Sequence, residues 1–167
     1  WSKSFSKQLM REANIPTAEF QVFTKYEDAL AYVHKRGAPI VVKASGLALG
    51  KGVYVCNTVE EAEDALREAM INRAHKDAGA EVVVEEFLDG EEISIHVLSD
   101  GKDFLIFPAS RDHKRIGEGD TGKNTGGIGA VAPVLDIDSL VMDEIQKYVV
   151  RPALSVLASQ GAPFSGL

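Results

Sequence analysis

Val42-Lys43-Ala44-Ser45-Gly46-Leu47-Ala48-Leu49-Gly50-Lys51-Gly52-Val53 is the stretch on which the fold turns. Before it, Pro39-Ile40-Val41-Val42 is a short apolar, β-branched run, the pattern of a buried strand that ends at Lys43. Gly46 to Gly52 reads as a glycine-rich loop, and Val53 to Cys56 resumes a strand. Glycines let a backbone approach a ligand closely and turn successive amides toward it. Lys43 and Lys51 bracket the loop with no acid between them, a local positive pocket in a chain of formal net charge -7. Such a pocket suits a polyphosphate. Taken alone, the loop reads equally as an ordinary strand connection with solvated lysines. It is not a Walker A loop, because three residues separate Gly46 from Gly50 and Gly52 follows Lys51 where Ser or Thr is needed. No Gly-x-Gly-x-x-Gly opens a helix, so the dinucleotide fingerprint is absent too.

Working outward, Phe5, Leu9, Met10 and Ala13 have helical spacing, and Ile15-Pro16 stops that helix. Thr17 to Phe23 reads as a strand. Thr24 with Glu27, and Thr58 with Glu61, have the capping-box spacing. They predict helices running to Arg36, ended by Gly37, and through Met70. Glu81 to Phe87, Glu92 to Ser99 and Phe104 to Ala109 read as strands, with Asp100-Gly101 as a hairpin turn. Residues 111–127 are polar and glycine-rich without apolar period, and read as a long functional loop. Asp138 caps a helix to about Ser159, broken or kinked at Pro152. Hairpins beside strand–helix–strand units predict an α+β fold.

Composition bounds the function. At 167 residues and 45% hydrophobic, the chain can bury a core without a metal or disulfide staple. Its 25 acidic against 18 basic residues argue against a non-specific nucleic-acid binder. No apolar run reaches membrane-spanning length. Cys56 is the only cysteine, so no internal disulfide or zinc cluster can form, and a reducing, cytoplasmic setting is expected. Both ends read as cut, since the chain opens straight into a helix and closes where a strand begins.

A second feature lies at Val82-Val83-Val84-Glu85-Glu86-Phe87-Leu88-Asp89-Gly90-Glu91-Glu92. The chain leaves one strand, bends and enters another. Backbone groups at such a bend can read an adenine edge, and a carboxylate just beyond can accept from ribose hydroxyls. Alone, this is also a charged β-turn.

Together, the strand-end lysine, the glycine loop and this hinge resemble an ATP-grasp nucleotide site. The likeness narrows with Ser2-Lys3-x-Phe5-x-Lys7, Ile15-Pro16-Thr17-Ala18, Asp112-His113-Lys114-Arg115 and Gly119-Asp120-Thr121-Gly122-x-Asn124-Thr125-Gly126-Gly127-x-Gly129-Ala130. With these the chain resembles the glycinamide ribonucleotide synthetase (phosphoribosylamine–glycine ligase) family. Arg111 stands where Gln is usual, and Lys123 where Pro is common.

The resemblance implies an ATP-dependent carboxylate–amine ligase of purine biosynthesis. It would join glycine to 5-phosphoribosylamine through a glycyl phosphate. It divides the chain into a leading core helix (1–17), an ATP-grasp lid (18–86) and a partial core (87–167). Lys43, Gly50, Lys51 and Gly52 would hold ATP phosphates, Glu85, Glu86, Phe87 and Leu88 the base, and Glu92 the ribose. Lys114, Arg115 and Asn124 would act at the reacting groups, with Asp112, His113, Thr125, Gly126 and Gly127 in the same substrate loop. Mg²⁺ (or Mn²⁺) would accompany ATP, on ligands expected beyond Leu167 rather than within the chain. Flanking domains would complete the enzyme, a homodimer is left open, and the segment alone is expected to lack ligase activity. Two alternatives remain: another ATP-grasp carboxylate–amine ligase, and a non-catalytic nucleotide-binding module.

Overall fold

The computed structural model describes residues 2–48, 52–74, 76–119 and 121–167. The fold is α+β with antiparallel sheets, and the chain divides into two compact units. Unit 1 comprises residues 1–8 and 18–89; unit 2 comprises 9–17 and 90–167.

In unit 1, β1 (Phe20–Phe23), β2 (Ile40–Ala44), β3 (Val53–Cys56) and β4 (Val82–Glu86) form an antiparallel sheet in the order β1-β4-β2-β3. The two central strands are buried on both faces, which is why they read as unbroken apolar runs. One face carries Ile40, Val42, Val82 and Val84. It packs with Ala29 and Val33 of α2 (Tyr26–Arg36) and Ala62, Ala65 and Leu66 of α3 (Val59–Leu66). Full burial of Leu66 alone is worth about 1.5–3 kcal/mol.

Both capped helices form, but only one by the predicted cap. Thr58 Oγ1 accepts from Glu61 N at 3.2 Å, and Glu61 Oε2 accepts from Asn57 N at 2.7 Å. α2 instead starts at Tyr26 with Lys25 at its N-cap and no side-chain bond. Thr24 lies one residue too early for its hydroxyl to reach the first free amides. α3 continues as a π-helical turn, Arg67–Ile71.

The opposite sheet face takes the odd positions of β2, β3 and β4 and the even positions of β1. Phe20, Glu85 and Val41 lie in one cross-strand row, and Lys43 and Val83 in the next. Lys43 and Glu85 are therefore diagonal neighbours on one face. The first turns of α1 (Lys3–Glu12) are fastened to the end of β2. Lys3 N donates to Ser45 O at 2.8 Å, and Ser45 Oγ bonds Ser4 Oγ at 2.9 Å.

Unit 2 holds β5 (Val97–Asp100), β6 (Phe104–Ile106) and β9 (Ser165–Gly166) in the order β6-β5-β9. Asp100 Oδ1 accepts from Lys102 N and Asp103 N, each at 2.8 Å, and closes the β5–β6 turn. The strand expected over 92–99 is shorter, with only a bridge between Ser94 and Ser110 before β5. The expected loop over 111–127 is a hairpin of β7 (Arg111–Gly117) and β8 (Thr121–Val131). The long C-terminal helix begins at Asp138, whose Oδ1 accepts from Val141 N at 2.9 Å. It runs as α4 (Ser139–Ile145), a π-helical turn Gln146–Val150 and α5 (Arg151–Ser159). Pro152 has no N–H for the carbonyl four residues back, and the wider turn absorbs that loss.

Candidate functional site

Unit 1 gathers lysines around one carboxylate at the foot of the glycine loop. Glu85 is 5% exposed. Its Oε1 pairs with Lys43 Nζ, and its Oε2 lies 2.7 Å from Lys7 Nζ. The second contact is ionic rather than an aligned hydrogen bond, since Oε2 has no hydrogen-bond partner. Lys7 also lies over the Phe20 ring, 5.5 Å from its centroid. Lys3 Nζ donates to Ala44 O at 2.8 Å and Gly46 O at 3.0 Å. Burial lowers the Lys3 pKa, and the charge on Lys43 lowers it further.

Lys3 meets the end of β2 and Lys7 meets β4 beside it, because residues four apart share a helix face. Three ammonium groups against one carboxylate leave a formal +2 (3 − 1) at the end of β2. The sequence singles out Lys43 and Lys51 with no acid between them; around Lys43 the fold adds Glu85 from β4 and two lysines from α1. The i, i+4 spacing of Lys3 and Lys7 is the signal that points to them. Gly50 and Lys51 lie outside the described residues. Gly52 is buried, and its carbonyl accepts from Ala44 N at 2.8 Å.

β4 ends at Glu86. Its amide donates to Glu19 O at 2.8 Å, and its Oε2 accepts from Glu19 N at 3.2 Å. The Glu86 N–H is thus committed to the sheet, and the expectation that its main chain reads a base narrows to its carbonyl. Phe87 and Leu88 follow outside any strand, with Leu88 exposed.

In unit 2, the β7–β8 hairpin carries the remaining predicted residues. The register pairs Asp112 with Ala130, His113 with Gly129 and Arg115 with Asn124, with irregularities on either side of Arg115. Lys114 Nζ pairs with Glu92 Oε1, so the ribose and catalytic expectations meet in one ion pair. Thr125 Oγ1 donates to Lys114 O at 2.8 Å and accepts from Gly127 N at 3.1 Å. Gly127 has φ 109°, and a Cβ there would lie 3.1 Å from Asp112 Oδ1. Both facts call for glycine. His113 and Arg115 are exposed. The Asn124 side chain lies outside the described part, and Gly126 is an exposed position of β8.

Arg111, which stands where the family usually has Gln, binds Glu91 at 2.7 Å and Asp136 at 3.1 Å. Its hydrogen bond holds the Asp136 carboxyl below the ordinary carboxylate pKa.

Among the described residues a divalent cation finds no donor set. Glu85, Glu91 and Glu92 are each engaged by a basic side chain, and no group of three His, Cys, Asp or Glu among the described residues is placed to hold a metal. Among those residues no helix is long and apolar enough to cross a membrane.

The family model for the phosphoribosylglycinamide synthetase ATP-grasp (A) domain matches residues 1–167. A phosphoribosylamine–glycine ligase of Streptococcus pyogenes serotype M1 is 48% identical over 167 residues. The chain spans 40% of that relative's length. The crystal structure of phosphoribosylamine–glycine ligase from Thermotoga maritima superposes with a TM-score of 0.89 at 36% identity. The match covers 99% of this chain and 42% of that one. The biotin carboxylase domain of 2-oxoglutarate carboxylase from Hydrogenobacter thermophilus, solved with MgADP and bicarbonate, shares the fold. Its TM-score is 0.66 at 22% identity, covering 98% of this chain and 34% of that one.

Proposed function

The chain belongs to the phosphoribosylglycinamide synthetase ATP-grasp (A) domain family, and on that footing we propose that it is the nucleotide-handling segment of a phosphoribosylamine–glycine ligase. The full-length protein would convert glycine, 5-phosphoribosylamine and ATP to glycinamide ribonucleotide, ADP and phosphate. The observation that carries this reading is the lysine cluster around Glu85 at the end of β2. A half-buried site with excess positive charge is costly unless an anion completes it, and a polyphosphate supplies that anion.

The chemistry is charge management. A glycine carboxylate oxygen attacks the γ-phosphorus, the bond to the β-phosphate oxygen breaks, and ADP leaves. The amine of phosphoribosylamine then attacks the acyl carbon of glycyl phosphate, and phosphate departs with the C–O bond pair. The amine proton passes to solvent, and no side chain is assigned as general base. Two anions must meet in the first step, so cations and aligned amides lower its barrier.

Lys43 would hold the phosphates, with Gly50, Lys51 and Gly52 closing over them. The backbone after β4, at Phe87 and Leu88, would meet the base. Glu92 would take the ribose hydroxyls and in doing so release Lys114. Lys114, Arg115 and Asn124 would then face the developing acyl phosphate, within the hairpin that carries Asp112, His113, Thr125, Gly126 and Gly127. Mg²⁺ is the cation expected with ATP, on ligands outside this segment. A cytoplasmic location keeps the unpaired thiol of Cys56 reduced.

The test is ADP release by the full-length protein with both glycine and phosphoribosylamine supplied. Release that needs both substrates supports the proposal. Release with another carboxylate–amine pair, or nucleotide binding without turnover, overturns it in favour of a relative with different substrates or a binding module.

A further inference from the structure

We propose that Lys7 is a positioning residue for the nucleotide phosphates, acting through Glu85. The inference rests on the reading that phosphates bind at Lys43. Glu85 has two carboxylate oxygens and serves two ammonium groups, Lys43 at Oε1 and Lys7 at Oε2. The carboxylate is buried in the sheet row between Phe20 and Val41, so its direction is set by what holds it. Lys7 reaches it from α1, with its side chain 13% exposed against 26% for Lys43. The more enclosed lysine is the weaker candidate for direct ligand contact and the better anchor.

Two consequences follow. Lys7 keeps Oε2 from turning onto Lys43, so that the Lys43 ammonium is held by one oxygen and retains donors for an anion. It also offsets the Glu85 charge, so that the site keeps its formal +2. Without Lys7 the cluster is +1 (Lys3 and Lys43 against Glu85), and Glu85 is free to neutralise Lys43 with both oxygens. The carboxylate is then a competitor of the phosphate rather than a guide for the lysine.

The experiment measures ADP affinity of the full-length protein by calorimetry, at fixed Mg²⁺ and two salt concentrations. Lys7→Met should weaken ADP about tenfold, the size expected for losing one unit charge roughly 10 Å from a phosphate at an effective dielectric constant of about 20. The loss should shrink at high salt. Lys7→Arg should recover most of the affinity. Adding Glu85→Gln to Lys7→Met should recover part of it, because the cluster returns to +2. A purely structural role predicts the reverse, a double variant worse than either single one. Unchanged affinity in Lys7→Met, or no recovery in the double variant, overturns the proposal. If Lys7→Met fails to fold, Lys7→Gln against Lys7→Arg reads the same charge, and equal affinities overturn it. Lys43→Met separates the two levels. If it leaves ADP affinity intact, the phosphate reading itself fails; if it abolishes binding while Lys7→Met is silent, only the Lys7 role fails.

Discussion

Gly46→Ala tests the foot of the glycine loop. Gly46 follows the end of β2, its amide donates to Ala78 O at 3.1 Å, and its carbonyl accepts from Lys3 Nζ at 3.0 Å. A Cβ at this position would lie 2.7 Å from Ala78 Cα and 2.8 Å from Ala78 Cβ. Neither atom can swing away on a flexible side chain, so the backbone near Ala78 must retreat by roughly 1 Å to reach ordinary carbon–carbon contact. Overpacking of this kind costs about 1–3 kcal/mol, and stretching the Gly46–Ala78 bond adds about 0.5–1.5 kcal/mol. Partial relaxation makes the two overlap, so a loss of about 2–3 kcal/mol is expected. The assay is urea unfolding followed by circular dichroism, with Gly129→Ala as control. A methyl group at Gly129 would meet no atom within 4 Å, and the residue has no left-handed φ, so that change should stay within about 0.5 kcal/mol. Because Gly46 O also holds Lys3, the loss should be accompanied by weaker ADP binding. A Gly46→Ala protein as stable as its Gly129→Ala counterpart would refute the close approach and the tether argued from it.

Two further outcomes concern stability. Thr58→Ala removes the acceptor of the Glu61 amide and should cost about 1 kcal/mol in the same unfolding assay; Thr24→Ala, which caps nothing, should cost a few tenths at most. Burial, and then the Glu61 charge, pushes the Cys56 thiol from its ordinary 9.0 up to about 11. A pKa raised on folding means stability that is whole below pH 9 and lost as pH rises through about 11, on the order of 2–3 kcal/mol. Tyr54, pushed up to about 12 chiefly by burial, adds a loss of the same sign at higher pH. The lowered Lys3 works in the opposite direction, gaining stability as pH climbs toward 10.5. Comparing the pH slope of stability with that of Cys56→Ala isolates the thiol: the slope between pH 9 and 11 should flatten in the variant, and an unchanged slope contradicts the assignment.

The elements legible in sequence are those whose side chains meet the core. Ile40 to Val42 and Val82 to Val84 are buried on both faces and announce themselves as apolar runs. Thr58 and Asp138 announce helix starts because each hydroxyl or carboxylate meets an amide three residues on. Thr24 and Glu27 have the same spacing without the geometry, since the chain leaving β1 enters the helix one residue later than the motif requires. The β7–β8 hairpin is unreadable because its side chains are mostly polar or glycine and largely exposed. Its order comes from backbone pairing, which leaves no period of two in the sequence.

At the site, Lys43 and the bend after β4 are visible in the residues themselves. Glu85 reads as part of that bend, yet it stands in the same strand as three buried valines, one row from Lys43. The antiparallel register of β2 and β4 decides which carboxylate meets which lysine, and no local motif encodes it. The approach of Lys3 and Lys7 depends likewise on where α1 docks, which the Ser4–Ser45 contact fixes.

The most direct test is a crystal structure of the full-length protein with ADP. The account predicts a phosphate oxygen within hydrogen-bond distance of Lys43 Nζ, with Glu85 still held by Lys7 and the adenine against the backbone at Phe87 and Leu88. Phosphates bound elsewhere, with Lys43 still paired only to Glu85, would contradict it.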